Sequence, residues 1–470
     1  MLKKFSQRKP FPQNIIKDSG NLVRNISLLQ LTLMGVGSTL GTGIFFALAE
    51  TVPIAGPGVI LSFVIAGVVA ALTALCYAEV SSSLPISGSA YTFTYMTLGQ
   101  GAAMIVAACL LLEWGISAAA VSVGWSNYLN DLISYALGYE IPEIIRSAPF
   151  IEADGRWKLS NENYFNLPAV VLVWMCASLL LKGSQESVLA NSILTFTKLA
   201  VLTMFIAMSL IAFNEQNLEP FAPFGLGGIG AAAAIVFFSF IGIDAVVNAS
   251  EEAQNPTRNI PLAIIAALII VTVVYVLVAV GSLGVQPSTE FNSSTGNLSR
   301  ILEKATGKPW LGGILAAGAV VSIFSVTLIA LYGQSRIFFA MARDNMIPSF
   351  FGRIDPKNHV PRGGILSSAF IVTPMAAFLP SQLLWSIVSL GTLVTFISVA
   401  VSLILLRSYF RRKPTGYKTP LYPVVPLLAI LSCVYLLSSL SAKVYVVFAV
   451  WVSLVMLVYF FYSRKHAQAS

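Results

Sequence analysis

The chain has 470 residues, of which 56% are hydrophobic and only 10% are charged. Because soluble domains carry about 25% charged residues, this composition excludes a soluble globular protein and predicts an all-α integral membrane protein in a lipid bilayer. The formal net charge of +8 does not indicate nucleic-acid binding, since most of the Lys and Arg residues lie in segments predicted to face the cytoplasm.

Apolar stretches long enough to cross a bilayer follow one another along the whole chain. A helix needs about 20 mostly apolar residues to span the hydrocarbon, and about twelve stretches meet this requirement. They cover residues 28–49, 57–83, 101–128, 166–182, 188–213, 228–249, 261–285, 312–341, 364–379, 382–406, 422–440 and 443–463. The sequence therefore predicts a single membrane domain, 28–463, between an N-terminal tail, 1–27, and a C-terminal tail, 464–470.

The distribution of basic residues predicts the orientation of the chain. Lys and Arg cluster before the first stretch, after the eighth, and between the tenth and the eleventh, as Arg24, Arg343 and Arg407 illustrate. The longest connection, residues 129–165, carries acidic residues such as Glu140. Because cytoplasmic connections are enriched in Lys and Arg, we expect a multi-pass protein of the plasma or inner membrane with both termini in the cytoplasm.

The first predicted span contains a dense cluster of glycines. Close helix packing in membranes also uses glycine, and this explanation suits Gly35 and Gly37. The sequence Gly41-Thr42-Gly43 is denser than packing requires. We therefore predict that the helix unwinds there, with its freed amides facing a ligand.

The sixth predicted span is interrupted in the same way, by Gly242 and the carboxylate of Asp244. If the first ten helices form two five-helix halves, about 28–213 and 228–406, the two breaks hold matching positions, and 422–463 supplies two extra helices. Glycine-interrupted segments at matching positions of two halves indicate the central binding site of a secondary transporter.

The predicted breaks suit an amino acid zwitterion. An unwound helix offers amide donors on one side of the gap and carbonyl acceptors on the other, and the half-helix N-terminus adds a partial positive charge. A carboxylate can accept from the first group and an ammonium can donate to the second. The predicted donors are amides around Thr42, Gly43 and Ile44, and the predicted acceptors are carbonyls near Thr39, Phe238, Ser239 and Ile241.

Several segments resemble motifs of the amino acid–polyamine–organocation superfamily. These segments are 37–45, 76–91, 238–245, 251–261, 332–338 and 342–344. The resemblance extends over residues 25–463 and is closest to bacterial members of the cationic amino acid transporter family. It implies about twelve helices, a LeuT-type 5+5 inverted repeat with broken helices 1 and 6, and transport of L-amino acids by alternating access.

The resemblance also implies which residues bind the substrate. On the first span they are Thr39, Gly41, Thr42 and Gly43. On the sixth span they are Phe238, Ser239, Phe240, Ile241 and Ile243. Phe240 would be the aromatic lid over the substrate.

Lys198 lies in the middle of the fifth predicted span, too deep for its ammonium to reach the interface fully. One interpretation is a structural lysine bonded to carbonyls of the first span. The other follows proton-coupled bacterial relatives, in which such a lysine occupies the position of a sodium ion. One of the paired hydroxyls of sodium-driven relatives is replaced in Phe324-Ser325. We predict coupling to protons rather than sodium.

Three acidic residues also lie within predicted spans, where a charge is costly and indicates function. Glu113 is a candidate relay partner for Lys198 or a pocket residue, with a hydrogen-bonded structural carboxylate as the alternative. Asp244 is predicted to cap the second half-helix of the sixth span. Glu79 is predicted to be structural, near the inner gate.

Other function classes are weaker. An ion channel would repeat a filter-like motif, and a membrane enzyme would need catalytic side chains at membrane depth, where no histidine occurs. The four cysteines lie in apolar stretches, so we expect no metal and no cofactor. An amino acid/polyamine exchanger, the choice between neutral and cationic substrates, and a small single-span membrane partner remain open.

Overall fold

The structure is a computed structural model, and its described residues form an almost entirely helical chain. Among the described residues, the β structure is one antiparallel hairpin, β1 Phe150–Ala153 with β2 Arg156–Leu159. The described residues are 6–9, 26–41, 43–45, 47–84, 89–153, 156–160, 162–182, 188–242, 244–248, 253–292, 296–356, 358, 360–409 and 416–466.

The main helices follow one another along the chain with short connections. They are α1 Leu28–Thr39, α2 Ala47–Ala55, α3 Val59–Ser83, α4 Ser89–Thr97, α5 Gln100–Leu137, α6 Leu167–Leu181, α7 Val188–Ile211, α8 Gly225–Val236, α9 Asp244–Asn248, α10 Pro256–Val285, α11 Leu298–Thr306, α12 Pro309–Arg343, α13 Arg362–Phe378, α14 Ser381–Ser408, α15 Val424–Ser438 and α16 Ala442–Val458.

Eight segments in the described part of the chain are helical, long and apolar enough to cross a membrane. Four shorter apolar helices, α1, α6, α13 and α15, accompany them. The all-helical membrane fold is therefore confirmed, while the number of about twelve crossings and the inverted repeat stay predictions. One long segment, Ala47–Ser83, contains α2, the 3-10 turn Gly56–Gly58 and α3.

Helix α5 lies at the centre of the bundle. In its most apolar window 94% of the residues are buried inside the protein, so this helix faces other helices rather than lipid. It packs against α12 on one side and α14 on another, while α10 packs against α1 and α3. This arrangement encloses the interrupted helices α1 and α8 within the protein, where their freed backbone groups can find partners.

Candidate functional site

The first predicted break is present in the structure. Helix α1 ends at Thr39, and α2 begins only at Ala47. Between them Leu40 has an extended backbone and Gly41 has a φ of +116°, a conformation that favours glycine. A Cβ on Gly41 would lie 3.1 Å from the hydroxyl of Ser322, so α12 faces the break directly. Thr42 lies outside the described residues.

The second predicted break is present as well. Helix α8 passes into a 3-10 turn, Phe237–Phe240, and ends with Ile241 in an extended conformation. Gly242 then adopts a φ of +113° before α9 begins at Asp244. A Cβ on Gly242 would lie 2.9 Å from the backbone of Ser38, so the close approach also requires glycine. Ile243 lies outside the described residues.

The two breaks are in direct contact with each other. The hydroxyl of Ser38 donates a 2.8 Å hydrogen bond to the carbonyl of Gly242. A Cβ on Gly43 would approach the Ser239 hydroxyl oxygen to 2.0 Å and the Phe238 ring to 2.7 Å. Residues about 200 positions apart in the chain therefore form one compact backbone site, and the described members of the predicted site meet there.

A tyrosine that the sequence analysis missed joins the two breaks. The hydroxyl of Tyr275, on α10, lies 2.8 Å from the carbonyl oxygen of Thr39 and 2.8 Å from that of Ser239. Both carbonyls were predicted to accept a substrate ammonium. The available signal was a tyrosine hydroxyl in the middle of a mostly apolar span, because a phenol in the membrane has to find a partner.

Two aromatic rings of the sixth span point in different directions. Phe238 stacks on Trp385 of α14, with ring centroids 4.3 Å apart, and its ring lies beside Gly43. Phe240 meets the ring of Tyr275 edge-on at 5.4 Å. The lid role of Phe240 stays a prediction, and the position of Phe238 makes it a second aromatic candidate at the same site.

Lys198 contacts α1, the N-terminal half of the broken first span. Its side chain is buried, and its ammonium donates a 3.0 Å hydrogen bond to the carbonyl of Gly37. Thr195, one turn earlier on α7, donates to the carbonyl of Leu33. A hydrogen bond to a span-1 carbonyl is expected of a structural lysine and of a proton carrier alike, so the coupling role stays a prediction.

The structure brings the carboxylates of Glu113 and Asp244 into one buried region. Each is at most 4% exposed, the charge of Asp244 acts on Glu113, and the hydroxyl of Thr392 hydrogen-bonds Glu113. Asp244 is the first residue of α9, near the amide of Ala245, although neither of its oxygens makes a hydrogen bond of normal geometry to the described residues. This position agrees with the predicted capping role only in part.

Glu79 lies in a separate network at the end of α3. Arg407 of α14 binds both carboxylate oxygens, at 2.5 and 2.6 Å, and the amide of Thr419 donates to the same carboxylate at 2.7 Å. The guanidinium also covers the ring of Tyr422. The network joins α3, α14 and the segment before α15, and the structural role of Glu79 near the inner gate stays a prediction.

Comparison with known proteins gives a consistent family. Residues 26–466 match the model of a family described as amino acid permease. The chain is 39% identical to the branched-chain amino acid permease of Bacillus subtilis, over 98% of both proteins. It is 36% identical to that organism's methylthioribose transporter, over 96% of this chain and 95% of the relative. It is 33% identical to the human cationic amino acid transporter 4, over 87% of this chain and 63% of the relative.

Proposed function

This chain belongs to the amino acid permease family and is an amino acid transporter rather than an enzyme, and from that premise we propose that it imports neutral L-amino acids together with protons. The proposed symporter works by alternating access in the plasma or inner membrane, with both termini in the cytoplasm. The positive-inside distribution of Lys and Arg supports this orientation.

The contact between the two breaks is the observation that carries the proposal. Helices α1 and α8 are both interrupted where Ser38 contacts Gly242. Gly41 and Gly242 adopt backbone conformations that other residues rarely adopt. Unwound backbone supplies the two kinds of group that an α-amino acid needs, amide donors and carbonyl acceptors. Such groups recognise the ammonium and carboxylate common to all amino acids, and leave the side chain to a separate pocket.

The walls of the site favour an apolar side chain. The ring of Phe238 stands beside Gly43 and stacks on Trp385, and both rings are buried. Apolar and aromatic walls with a few directed polar groups are typical of small-molecule sites. The apolar walls therefore support our proposal of a neutral substrate. Glu113 and Asp244 are the acids that a cationic substrate would use, and because two neighbouring buried carboxylates attract a cation, a cationic substrate is the alternative.

Uptake by the purified full-length protein in liposomes tests this proposal. Labelled leucine, alanine, arginine and methylthioribose would be offered separately, with and without a pH gradient that is acidic outside. We expect leucine and alanine to accumulate and the gradient to increase their uptake. Accumulation of arginine would contradict the proposal of a neutral substrate, and accumulation of methylthioribose alone would contradict the proposal of an amino acid substrate. Uptake that does not depend on the pH gradient but requires an amino acid inside the liposomes would indicate an exchanger.

The proposed proton coupling makes a separate prediction for Lys198. Replacing Lys198 by alanine removes the ammonium that binds the Gly37 carbonyl, and with it the proposed group that gains and loses the proton. We expect leucine uptake by Lys198→Ala to become independent of external pH between about 5 and 8. Burial can bring the proton exchange of a lysine into this range, and the variant no longer has the lysine. Initial rates across this range provide the measurement.

The control for Lys198→Ala is Lys182→Ala, at the exposed end of α6. This variant should keep the pH dependence of the unmodified protein. Full pH dependence in Lys198→Ala, at normal amounts of folded protein, would show that the lysine has only a structural role.

A further inference from the structure

We propose that Tyr128 is a positioning residue, whose hydroxyl couples the short helix α11 to the first span directly after its break. The inference rests on the proposed function, because this coupling acts on the amino acid site between the two breaks. It adds Tyr128, on α5 and outside both interrupted spans, to the residues that set the affinity of that site.

A chain of two hydrogen bonds connects α11 with the first span. The amide of Leu298, the first residue of α11, donates a 3.1 Å hydrogen bond to the Tyr128 hydroxyl oxygen. The same hydroxyl donates its proton to the carbonyl of Phe45. Phe45 lies between Gly43, at the contact of the two breaks, and Ala47, where α2 begins. Helix α11 is therefore attached to the backbone segment that forms the proposed site.

The partners of the Tyr128 hydroxyl fix its two roles. An amide can only donate and a carbonyl can only accept, so the phenol oxygen receives a proton from Leu298 and gives its own to Phe45. The side chain of Tyr128 is completely buried, and its ring meets the ring of Phe45 edge-on with centroids 5.7 Å apart. Because protein interiors are close-packed, a shift of Phe45 has to move the hydroxyl that binds α11.

A second group, one turn farther along α5, anchors α11 independently of the first span. The buried carboxylate of Asp131 accepts hydrogen bonds from Ser299 at 2.6 Å, from Arg300 at 3.3 Å and from Asn297 at 3.4 Å. Helix α11 also packs against α7 and α12. The bonds of Asp131 join α11 to α5, whereas the bonds of Tyr128 continue to the first span.

Coupling between α11 and the site has to act in both directions. If leucine bound between the breaks fixes Phe45, it also stabilises α11 on α5, and α11 raises the affinity for leucine by the same factor. We expect a factor of about ten. Leucine should therefore slow hydrogen exchange of the α11 amides, Leu298–Thr306, about tenfold in the full-length protein in detergent. This measurement requires no substitution.

Tyr128→Phe keeps the ring contact with Phe45 and removes the hydroxyl. In this variant we expect leucine to change the exchange of α11 less than about twofold, and the KM for leucine uptake into liposomes to rise about tenfold. Asp131→Asn is the matched control, because it weakens the anchor of α11 and leaves the Tyr128 hydroxyl in place. Helix α11 should exchange faster in Asp131→Asn with and without leucine, and the tenfold effect of leucine should be retained.

Two results would overturn the inference. If leucine leaves the exchange of α11 unchanged in the unmodified protein that transports it, α11 is not coupled to the site. If leucine slows the exchange of α11 equally in Tyr128→Phe, the coupling does not pass through the hydroxyl. Failure of the proposed function looks different, because the unmodified protein would then take up no amino acid at all.

Discussion

Replacing Gly43 by alanine should reduce leucine uptake about 100-fold or more, while the protein still inserts and folds. The new Cβ would lie 2.0 Å from the Ser239 hydroxyl oxygen and 2.7 Å from the Phe238 ring. The serine hydroxyl can rotate away. The ring cannot do so freely, because it is stacked on Trp385 at 4.3 Å. The two breaks would have to separate, and the backbone site would lose its geometry.

Gly227→Ala provides the matched control for Gly43→Ala. Gly227 also belongs to the broken sixth span, but a Cβ there meets nothing within 4 Å. Uptake by Gly227→Ala should therefore match that of the unmodified protein. Initial rates would be normalised to the amount of monodisperse protein recovered from the membrane. Normal uptake by Gly43→Ala would contradict the assignment of the substrate site to the contact between the breaks.

Replacing Glu79 by glutamine should produce the largest loss of stability among the single changes considered for this protein. The carboxylate accepts two hydrogen bonds from Arg407 and one from the amide of Thr419. Breaking a buried pair leaves an uncompensated charge and costs about 3–5 kcal/mol. The side chain of Arg407 is 20% exposed, so water recovers part of this cost, and we expect about 2–3 kcal/mol.

Thermal unfolding in detergent measures this effect, with Glu162→Gln in an exposed connection as the control. The double variant Glu79→Gln with Arg407→Gln should be more stable than Glu79→Gln alone, because it no longer contains the unpaired guanidinium. A double variant that is less stable by the sum of the two single losses would mean that the residues act independently.

Much of the fold follows from local features of the sequence. The apolar stretches predict helices of membrane length, and the clusters around Gly41 and Gly242 predict where two of them are interrupted. Both interruptions occur there, because a φ above +100° is accessible to glycine and costly for other residues. The boundaries were less accurate. The first predicted span, 28–49, ends in α2, which continues through Ala55 to a 3-10 turn.

The partners of the charged residues could not be predicted in the same way. Glu79 was expected to be structural, but its binding to Arg407 joins helices that are far apart in the chain. Glu113 stays a candidate relay partner for Lys198 or a pocket residue, and the neighbouring charge of Asp244 was not predicted for it. Side-chain partners depend on the rotation of each helix about its axis, and uniformly apolar helices give little periodic signal for that rotation.

The sequence by itself therefore determined a helical membrane transporter with two interrupted spans, since composition and glycine spacing act within a single segment. Only the tertiary structure decided which groups touch at the interruptions: the Ser38 hydroxyl on the carbonyl of Gly242, and Tyr275 on the carbonyls of Thr39 and Ser239, across 236 and 36 positions of the chain. The physical reason is that backbone carbonyls are the same in every residue. Which of them accept a hydrogen bond from a distant side chain is set by the packing of helices.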